Sequence, residues 1–212
     1  MKKNLIFFIV VFSYAWVNCY TGQSCAEKGL KLLNQQNYQE AKKYFKKSCD
    51  LGNSIGCNSL GFLYYNGKGI KRDYFKAKKY YEKACSLDHK LGCYNMAILY
   101  EYGNGVKKDY IKAIEYYDKS CSLEYSLGCN TLGIIYEKGE RIKQDYFKAK
   151  KYYEKACKLN NKFGCLNLGV LYYYGNGVKQ NYYKAKKLFG KACELGLQRG
   201  CYYYAFLNKQ GY

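Results

Sequence analysis

Proline is absent from this chain of 212 residues, and histidine occurs only once, as His89. The lack of proline excludes proline-rich linkers and argues against a fold with many loops. A single histidine excludes a His-rich metal site and leaves most acid–base pairs without a partner. Acidic residues are also scarce, because 16 Asp and Glu stand against 36 Lys and Arg. The formal net charge of +20 predicts a salt-dependent attraction to anionic surfaces.

The chain is rich in cysteine and tyrosine, with 12 and 29 residues respectively. Hydrophobic residues make up 49% and charged residues 25%, which indicates a folded chain and not a disordered or multi-span one. The abundance of Lys, Asn, Tyr and Ile is the bias that an AT-rich genome imposes. The basic excess therefore does not by itself indicate nucleic-acid binding, and we expect no nucleic-acid partner and no cofactor.

The first residues are typical of a secretory signal. Lys2 and Lys3 precede an apolar run that is too short to span a bilayer comfortably. We predict a signal peptide over residues 1–19, cleaved after Ala15 or after Cys19, with lipoprotein anchoring through Cys19 as an alternative. The mature chain is then secreted or periplasmic, without a membrane span. In such an oxidising compartment paired cysteines form disulfides.

Internal repetition with a period of 36 residues dominates the rest of the chain. The segment Tyr74–Cys85 recurs residue for residue as Tyr146–Cys157, and looser copies start at Tyr38, Tyr110 and Tyr182. Because one helix pair cannot bury its own apolar face, stacked neighbours must complete the core. The period therefore predicts an all-α fold, an α/α solenoid.

Each period holds two helical patterns joined by a glycine-containing turn. Apolar residues at helical spacing predict a first helix such as Leu91–Tyr102 and a second such as Tyr110–Ser122. Polar residues just before the second helices are predicted N-caps, and Gly-x-Gly pairs are predicted turns between the helices. Two copies depart from the pattern. The third replaces a Lys-Lys pair by Ile114-Glu115, and the fourth replaces the Gly-x-Gly turn by Gly139-Glu140-Arg141.

We predict a single solenoid domain over residues 20–212. The predicted repeats are residues 24–53, 54–89, 90–125, 126–161 and 162–197, followed by a capping helix in residues 198–212. Small residues at fixed positions, such as Gly133 and Ala149, mark the places where helices must approach closely.

Ten cysteines follow the same period and form Cys-x7-Cys pairs. Each pair joins the end of a second helix to the start of the next first helix. The short connection favours local disulfides, although pairing across 28 residues, such as Cys57–Cys85, stays open. Zinc or redox sites are disfavoured because both require closer cysteine spacing or histidine. The predicted local pairs are Cys49–Cys57, Cys85–Cys93, Cys121–Cys129, Cys157–Cys165 and Cys193–Cys201. Cys19 and Cys25 lie outside the period; they can bridge each other after cleavage at Ala15, whereas cleavage after Cys19 leaves Cys25 unpaired.

One copy illustrates a resemblance to a known family. It contains Gly92-Cys93-x-x-Met96-Ala97-x-Leu99-Tyr100-x-x-Gly103-x-Gly105-Val106, followed by Asp109-x-x-Lys112-Ala113-x-x-Tyr116-x-x-Lys119-Ser120-Cys121. This pattern resembles the Sel-one-like repeat, a TPR-like helix pair, in the disulfide-bearing form of the Helicobacter cysteine-rich protein family. The resemblance implies an exported solenoid. It also implies β-lactam binding or weak β-lactam hydrolysis, because members are named as β-lactamases, and protein interaction for others. No Ser-x-x-Lys motif accompanies it, so we assign no catalytic residue.

A ligand is expected on the concave face, which first helices line in a solenoid. We predict that residues facing away from the packing stripe contact it, since they vary between copies. They are Asn58, Tyr65, Tyr94, Glu101, Asn130, Glu137, Leu166 and Tyr173. The expected function is a monomeric, exported scaffold that binds a peptide, a protein or a cell-wall fragment, with acidic surfaces as further partners. The alternative is a weak β-lactamase or penicillin-binding protein.

Overall fold

Helices of 12 or 13 residues account for most of residues 19–212, the part of the chain that this computed structural model describes. The predicted signal segment falls outside these residues except for Cys19. The helices are α1 (Gly22–Asn34), α2 (Tyr38–Asp50), α3 (Ser54–Asn66), α4 (Tyr74–Ser86), α5 (Lys90–Tyr102), α6 (Tyr110–Ser122), α7 (Ser126–Lys138), α8 (Tyr146–Lys158), α9 (Lys162–Tyr174), α10 (Tyr182–Glu194) and α11 (Gln198–Lys209). No strand occurs among them, so the prediction of an all-α helix-pair solenoid is confirmed.

Side-chain caps and glycines set the ends of the helices. Asp109 Oδ1 accepts a hydrogen bond from the Lys112 backbone N–H at 3.0 Å at the start of α6, and Asp145 and Asn181 cap α8 and α10 in the same way. These bonds satisfy N–H groups that have no partner within the helix. Four first helices, α3, α5, α7 and α9, end at a glycine in the left-handed conformation, such as Gly175 with φ +79°. The predicted N-caps and turns are therefore present.

The contacts divide the described chain into two compact units, one that ends at Tyr80 and one that begins at Tyr81. In the first unit, α1, α2 and α3 pack around Phe45, Leu60 and Leu63. In the second unit, successive helix pairs bury a tyrosine or phenylalanine of each second helix, namely Tyr117, Tyr153 and Phe189.

Glycine allows these rings to lie against the first helices. A Cβ on Gly133 would come within 2.4 Å of the Tyr153 ring, and one on Gly169 within 2.6 Å of the Phe189 ring. The predicted role of small residues as sites of close helix approach agrees with this packing. At the end of the second unit, α11 packs against α10 and buries Leu207.

Disulfides join each second helix to the following first helix. All five Cys-x7-Cys pairs form local bonds with Cα–Cα distances of 4.5–4.6 Å, and Cys19 bonds to Cys25. The glycine before the second cysteine makes the approach possible, because a Cβ on Gly164 would lie 2.6 Å from the Ala156 Cβ. The local pairing, and not the pairing across 28 residues, is therefore the one that this structure contains.

Loss of one bridge should destabilise the fold measurably. We expect the double substitution Cys157→Ala and Cys165→Ala to cost about 2–3 kcal/mol, because the bridge restricts the unfolded chain. For a chain of this size that cost corresponds to a fall in Tm of about 4–12 °C, measurable by circular dichroism. The same change at Cys19 and Cys25, at the edge of the described helices, is the control and should cost less. An unchanged Tm in the first variant would contradict the stabilising role of the bridges.

Candidate functional site

Three of the eight residues predicted to contact a ligand are buried. Asn58, Asn130 and Leu166 keep only 7%, 7% and 5% of their surface exposed. In the second unit α9 packs against α7, and the Asn167 side-chain amide donates a hydrogen bond to Asn130 Oδ1 at 3.2 Å. Leu166 lies in the core that contains Phe189 and Leu207. The expectation that these positions face away from the packing stripe is therefore corrected: they take part in packing.

The three predicted tyrosines are half-buried and pack against other rings. Tyr94 contacts Tyr117 and Tyr125, with centroids 5.2 and 5.1 Å apart. Tyr173 contacts Tyr182 at 5.4 Å, and in the first unit Tyr65 contacts Tyr74 at 5.3 Å. Aromatic pairs at these distances contribute to packing, so these rings are only partly exposed.

The two predicted glutamates bind buried hydroxyl groups. Tyr117 donates to Glu101 Oε2 at 2.6 Å, and Tyr153 donates to Glu137 Oε2 at 2.5 Å. Burial, together with these carboxylates, raises the pKa of both tyrosines well above the ordinary value. In the next pair the first helix has Tyr173 instead of glutamate, and the second helix has Phe189, which needs no acceptor. The glutamates therefore complete a polar contact between the two helices of a pair.

The more exposed face of the first helices lies one residue further along the chain. We call this face the first-helix stripe and describe it in the second unit. It consists of Leu91, Asn95, Ile98 and Tyr102 in α5, Leu127, Thr131, Ile134 and Lys138 in α7, and Phe163, Asn167, Val170 and Tyr174 in α9. Tyr102 and Tyr174 are 65% and 64% exposed, and Leu127 and Phe163 are 39% and 44% exposed. Leu127 and Phe163 thus remain accessible at the same register in consecutive repeats, whereas the register of Tyr102 and Tyr174 has Lys138 in the repeat between them.

Sequence reasoning missed this stripe because it searched for positions that vary. Two of the stripe positions keep their chemical type, with leucine or phenylalanine near the start and isoleucine or valine in the middle. An apolar position repeated in this way normally indicates core. The usable signal was the number of apolar positions, since each first helix carries more of them than one packing face requires.

Lysines of the second helices lie over tyrosines of the first helices. The Lys112, Lys148 and Lys184 ammonium groups are 5.5, 5.0 and 5.3 Å from the ring centroids of Tyr100, Tyr136 and Tyr172. Cations at this distance are attracted to the ring face. Part of the basic excess therefore serves contacts within helix pairs.

The single histidine and two serines have structural partners. His89 Nδ1 accepts a hydrogen bond from the Gly92 backbone N–H at 3.1 Å and so caps α5. Partial burial, and to a smaller extent the charge of Lys90, lowers the pKa of His89. Ser48 and Ser120 donate to the backbone carbonyls of Gly22 and Lys90 at 2.6 and 2.8 Å. These hydroxyls tie the second helix of a pair to the start of its first helix.

Repeated antiparallel helix pairs with an accessible stripe on the first helices define an α/α repeat protein. A family model described as the Sel1 repeat matches residues 19–53, 54–89, 90–125, 126–161 and 163–197. The chain therefore belongs to the Sel1-repeat family. No helix in residues 19–212 is both long and apolar enough to cross a membrane.

Relatives and solved structures agree with this assignment. The chain is 47% identical over 45 residues to HcpC of Helicobacter pylori, which is named as a candidate β-lactamase; the match covers 21% of this chain and 16% of that protein. The crystal structure of a protective antigen of uropathogenic Escherichia coli with an SLR fold superposes with TM-score 0.82 at 27% identity, over 90% of this chain and 42% of that one. Cysteine-rich protein B of Helicobacter pylori gives TM-score 0.50 at 41% identity, over 62% of this chain and 95% of that one.

Removing the Tyr117 hydroxyl should leave the Glu101 carboxylate without its donor. We expect Tyr117→Phe to lower the free energy of unfolding by about 1–3 kcal/mol in denaturant titrations at pH 7. Tyr102→Phe, on the exposed stripe, is the control and should change it by less than about 0.5 kcal/mol.

The pH dependence of this effect has a definite sign. Because the pKa of Tyr117 is raised in the folded chain, its stabilisation is complete below about pH 10, the ordinary pKa of tyrosine, and is lost above it. The difference between wild type and Tyr117→Phe should therefore shrink as the pH rises above about 10. A difference that grows with pH would contradict the hydrogen bond as its source.

Proposed function

We propose that the chain is an exported, disulfide-stabilised scaffold whose first-helix stripe binds a peptide or protein segment. The observation that carries this proposal is the row of accessible aromatic and aliphatic side chains on α5, α7 and α9. Tyrosine side chains of this kind provide large contact area at little cost in conformational entropy. The disulfides, the relatives from Helicobacter pylori and the predicted signal peptide support export.

A pair of tyrosine substitutions tests the stripe. Peptides selected from a random library on the oxidised chain should bind at least about tenfold more weakly to the double variant Tyr102→Ala and Tyr174→Ala, because each ring is a predicted anchor. Fluorescence anisotropy with the selected peptides measures the dissociation constants, and a cell-wall muropeptide is included as a second probe.

The control pair is Phe147→Ala and Tyr183→Ala, which removes rings of similar exposure, 75% and 68%, from the second helices α8 and α10. These variants should bind the selected peptides as the wild type does. An equal loss of affinity in both double variants, or no loss in the Tyr102→Ala and Tyr174→Ala variant, would show that the peptides bind elsewhere.

Hydrolysis of β-lactams is a second candidate, favoured by the names of the relatives. Beta-lactamase HcpA of Helicobacter pylori is 40% identical over 45 residues, which is 21% of this chain and 18% of that protein. Ser48, Ser120 and His89 already serve packing and capping contacts, so we expect nitrocefin turnover by the oxidised chain to be no faster than by a heat-denatured control. Turnover that depends on the folded, oxidised chain would establish the second candidate instead.

A further inference from the structure

The turn that follows a first helix normally packs tightly against the preceding repeat. In the second unit Gly177 has φ +65°, and a Cβ there would lie 2.3 Å from the Cβ of Tyr146, the first residue of α8. In the first unit Gly69 lies in the same way against Tyr38, with a corresponding distance of 2.4 Å. Glycine is required at this position because no side chain fits and because φ is positive.

The turn after α7 has Arg141 at the corresponding position. Arg141 does not adopt a positive φ, and its guanidinium lies over the ring of Tyr110, the first residue of α6, at 3.7 Å from the ring centroid. Arg141 thus contacts the first residue of the preceding second helix through its side chain, whereas Gly69 and Gly177 contact the corresponding residue through their backbone. An open cavity of about 190 Å³ is found between α6, α7 and this turn.

A second departure from the repeat lines the same cavity. Ile114 contributes to its wall, at a position where the other four second helices have lysine. With Ile134, Ile135 and Ile142 it forms an apolar lining. The sequence changes at Arg141 and Ile114 are far apart in the chain but meet in space. Together they replace a packed glycine and a half-buried lysine by an open, apolar space.

The charges around the cavity favour an anion at its mouth. Lys138 and Glu140 pair with each other at 3.4 Å, whereas Arg141 forms no hydrogen bond or ion pair with any residue in 19–212. Stacking on Tyr110 holds the guanidinium plane and leaves its N–H edge open, the geometry that binds carboxylates. Glu101 lies in the wall, so an anion is repelled from the interior.

We propose that this cavity binds a peptide segment in which a large apolar side chain adjoins an acidic residue. The apolar side chain enters between the four isoleucines, and the carboxylate pairs with Arg141. The volume suits one side chain and is smaller than the pockets that hold drug-sized ligands. Thr131, Ile134 and Lys138 belong both to the cavity and to the first-helix stripe, so the inference rests on the proposed function and names a specificity site within it.

Methyl NMR of the oxidised chain with labelled isoleucine tests the site directly. The probe is the blocked dipeptide acetyl-Phe-Glu-amide, and the comparison probes are acetyl-Phe-Gln-amide, acetyl-Ala-Glu-amide and acetyl-Phe-Lys-amide. We expect saturable shifts at the methyl groups of Ile114, Ile134, Ile135 and Ile142 with the first probe. Each comparison probe should bind at least about fivefold more weakly. Ile55 and Ile70, in the first unit, serve as internal controls and should not shift.

Two substitutions that restore the repeat pattern should abolish the response without loss of fold. Arg141→Gly removes the guanidinium and restores the usual turn residue, and Ile114→Lys restores the usual lysine. Arg72→Gly is the matched control, because Arg72 also follows a first helix and contacts a tyrosine, Tyr74, outside the cavity. Equal binding of the Glu and Gln probes, or undiminished binding to Arg141→Gly, would overturn the proposal.

The experiments distinguish failure of the cavity proposal from failure of the proposed function. If library-selected peptides depend on Tyr102 and Tyr174 but none shifts the cavity isoleucines, the cavity proposal fails and the proposed function stands. If no peptide binds the folded chain at all, both fail. Peptides that bind at the stripe and are weakened by Ile114→Lys support both.

Discussion

The contact on which the architecture depends is the one between the end of each second helix and the start of the next first helix. There a glycine, such as Gly164, lets the two helices approach so closely that a Cβ on it would lie 2.6 Å from the Ala156 Cβ. The adjoining Cys157–Cys165 disulfide holds the helices in this contact. The connecting segment is too short to add a core of its own. Successive helix pairs are therefore positioned by a covalent bond and by the absence of a side chain, and the larger residues pack around that fixed point.

This arrangement explains how the two helices of a pair pack closely together. Small residues bring the first and second helices together, and the buried ring of each second helix fills the space opposite them, as Tyr153 does beside Gly133. Polar contacts then match the ring that is present. A glutamate of the first helix accepts a hydrogen bond from the hydroxyl of Tyr117 or Tyr153, whereas the pair with Phe189, which has no hydroxyl to satisfy, has Tyr173 at the glutamate position. In these three pairs of the second unit, glutamate accompanies a buried tyrosine hydroxyl and is absent where the second helix has phenylalanine, since a buried hydroxyl without an acceptor would be costly.

The sequence was sufficient for the fold because its information is local and repeated. Helix α6 was predicted as Tyr110–Ser122, the bounds that the structure has, since Asp109 caps its start and the period repeats its pattern. The surface was harder to predict. Asn130 and Leu166 were expected to face a ligand, but both are buried, and the accessible face begins one residue further on. A helix turns by about 100° per residue, so a small error in register exchanges a packing face for an open one. Contacts between repeats determine which face of a helix is buried. The residue pattern of a single helix carries no information about those contacts.

In a repeat protein the residues that most copies share reflect the packing between helices. A copy that departs from these residues marks a place where the packing differs. A lysine at position 114 or a glycine at position 141 would be the ordinary choice, and each occurs at the matching position of other copies. If the two positions had changed by independent neutral drift, the altered turn and the exposed isoleucine would be expected in unrelated parts of the protein. Here Arg141 is held by Tyr110, Ile114 is covered on one side by the cavity wall, and both face the same space. Two changes that meet in one cavity, one at the turn and the other in its apolar wall, are better explained by a ligand that the cavity accommodates than by relaxed constraint on the repeat.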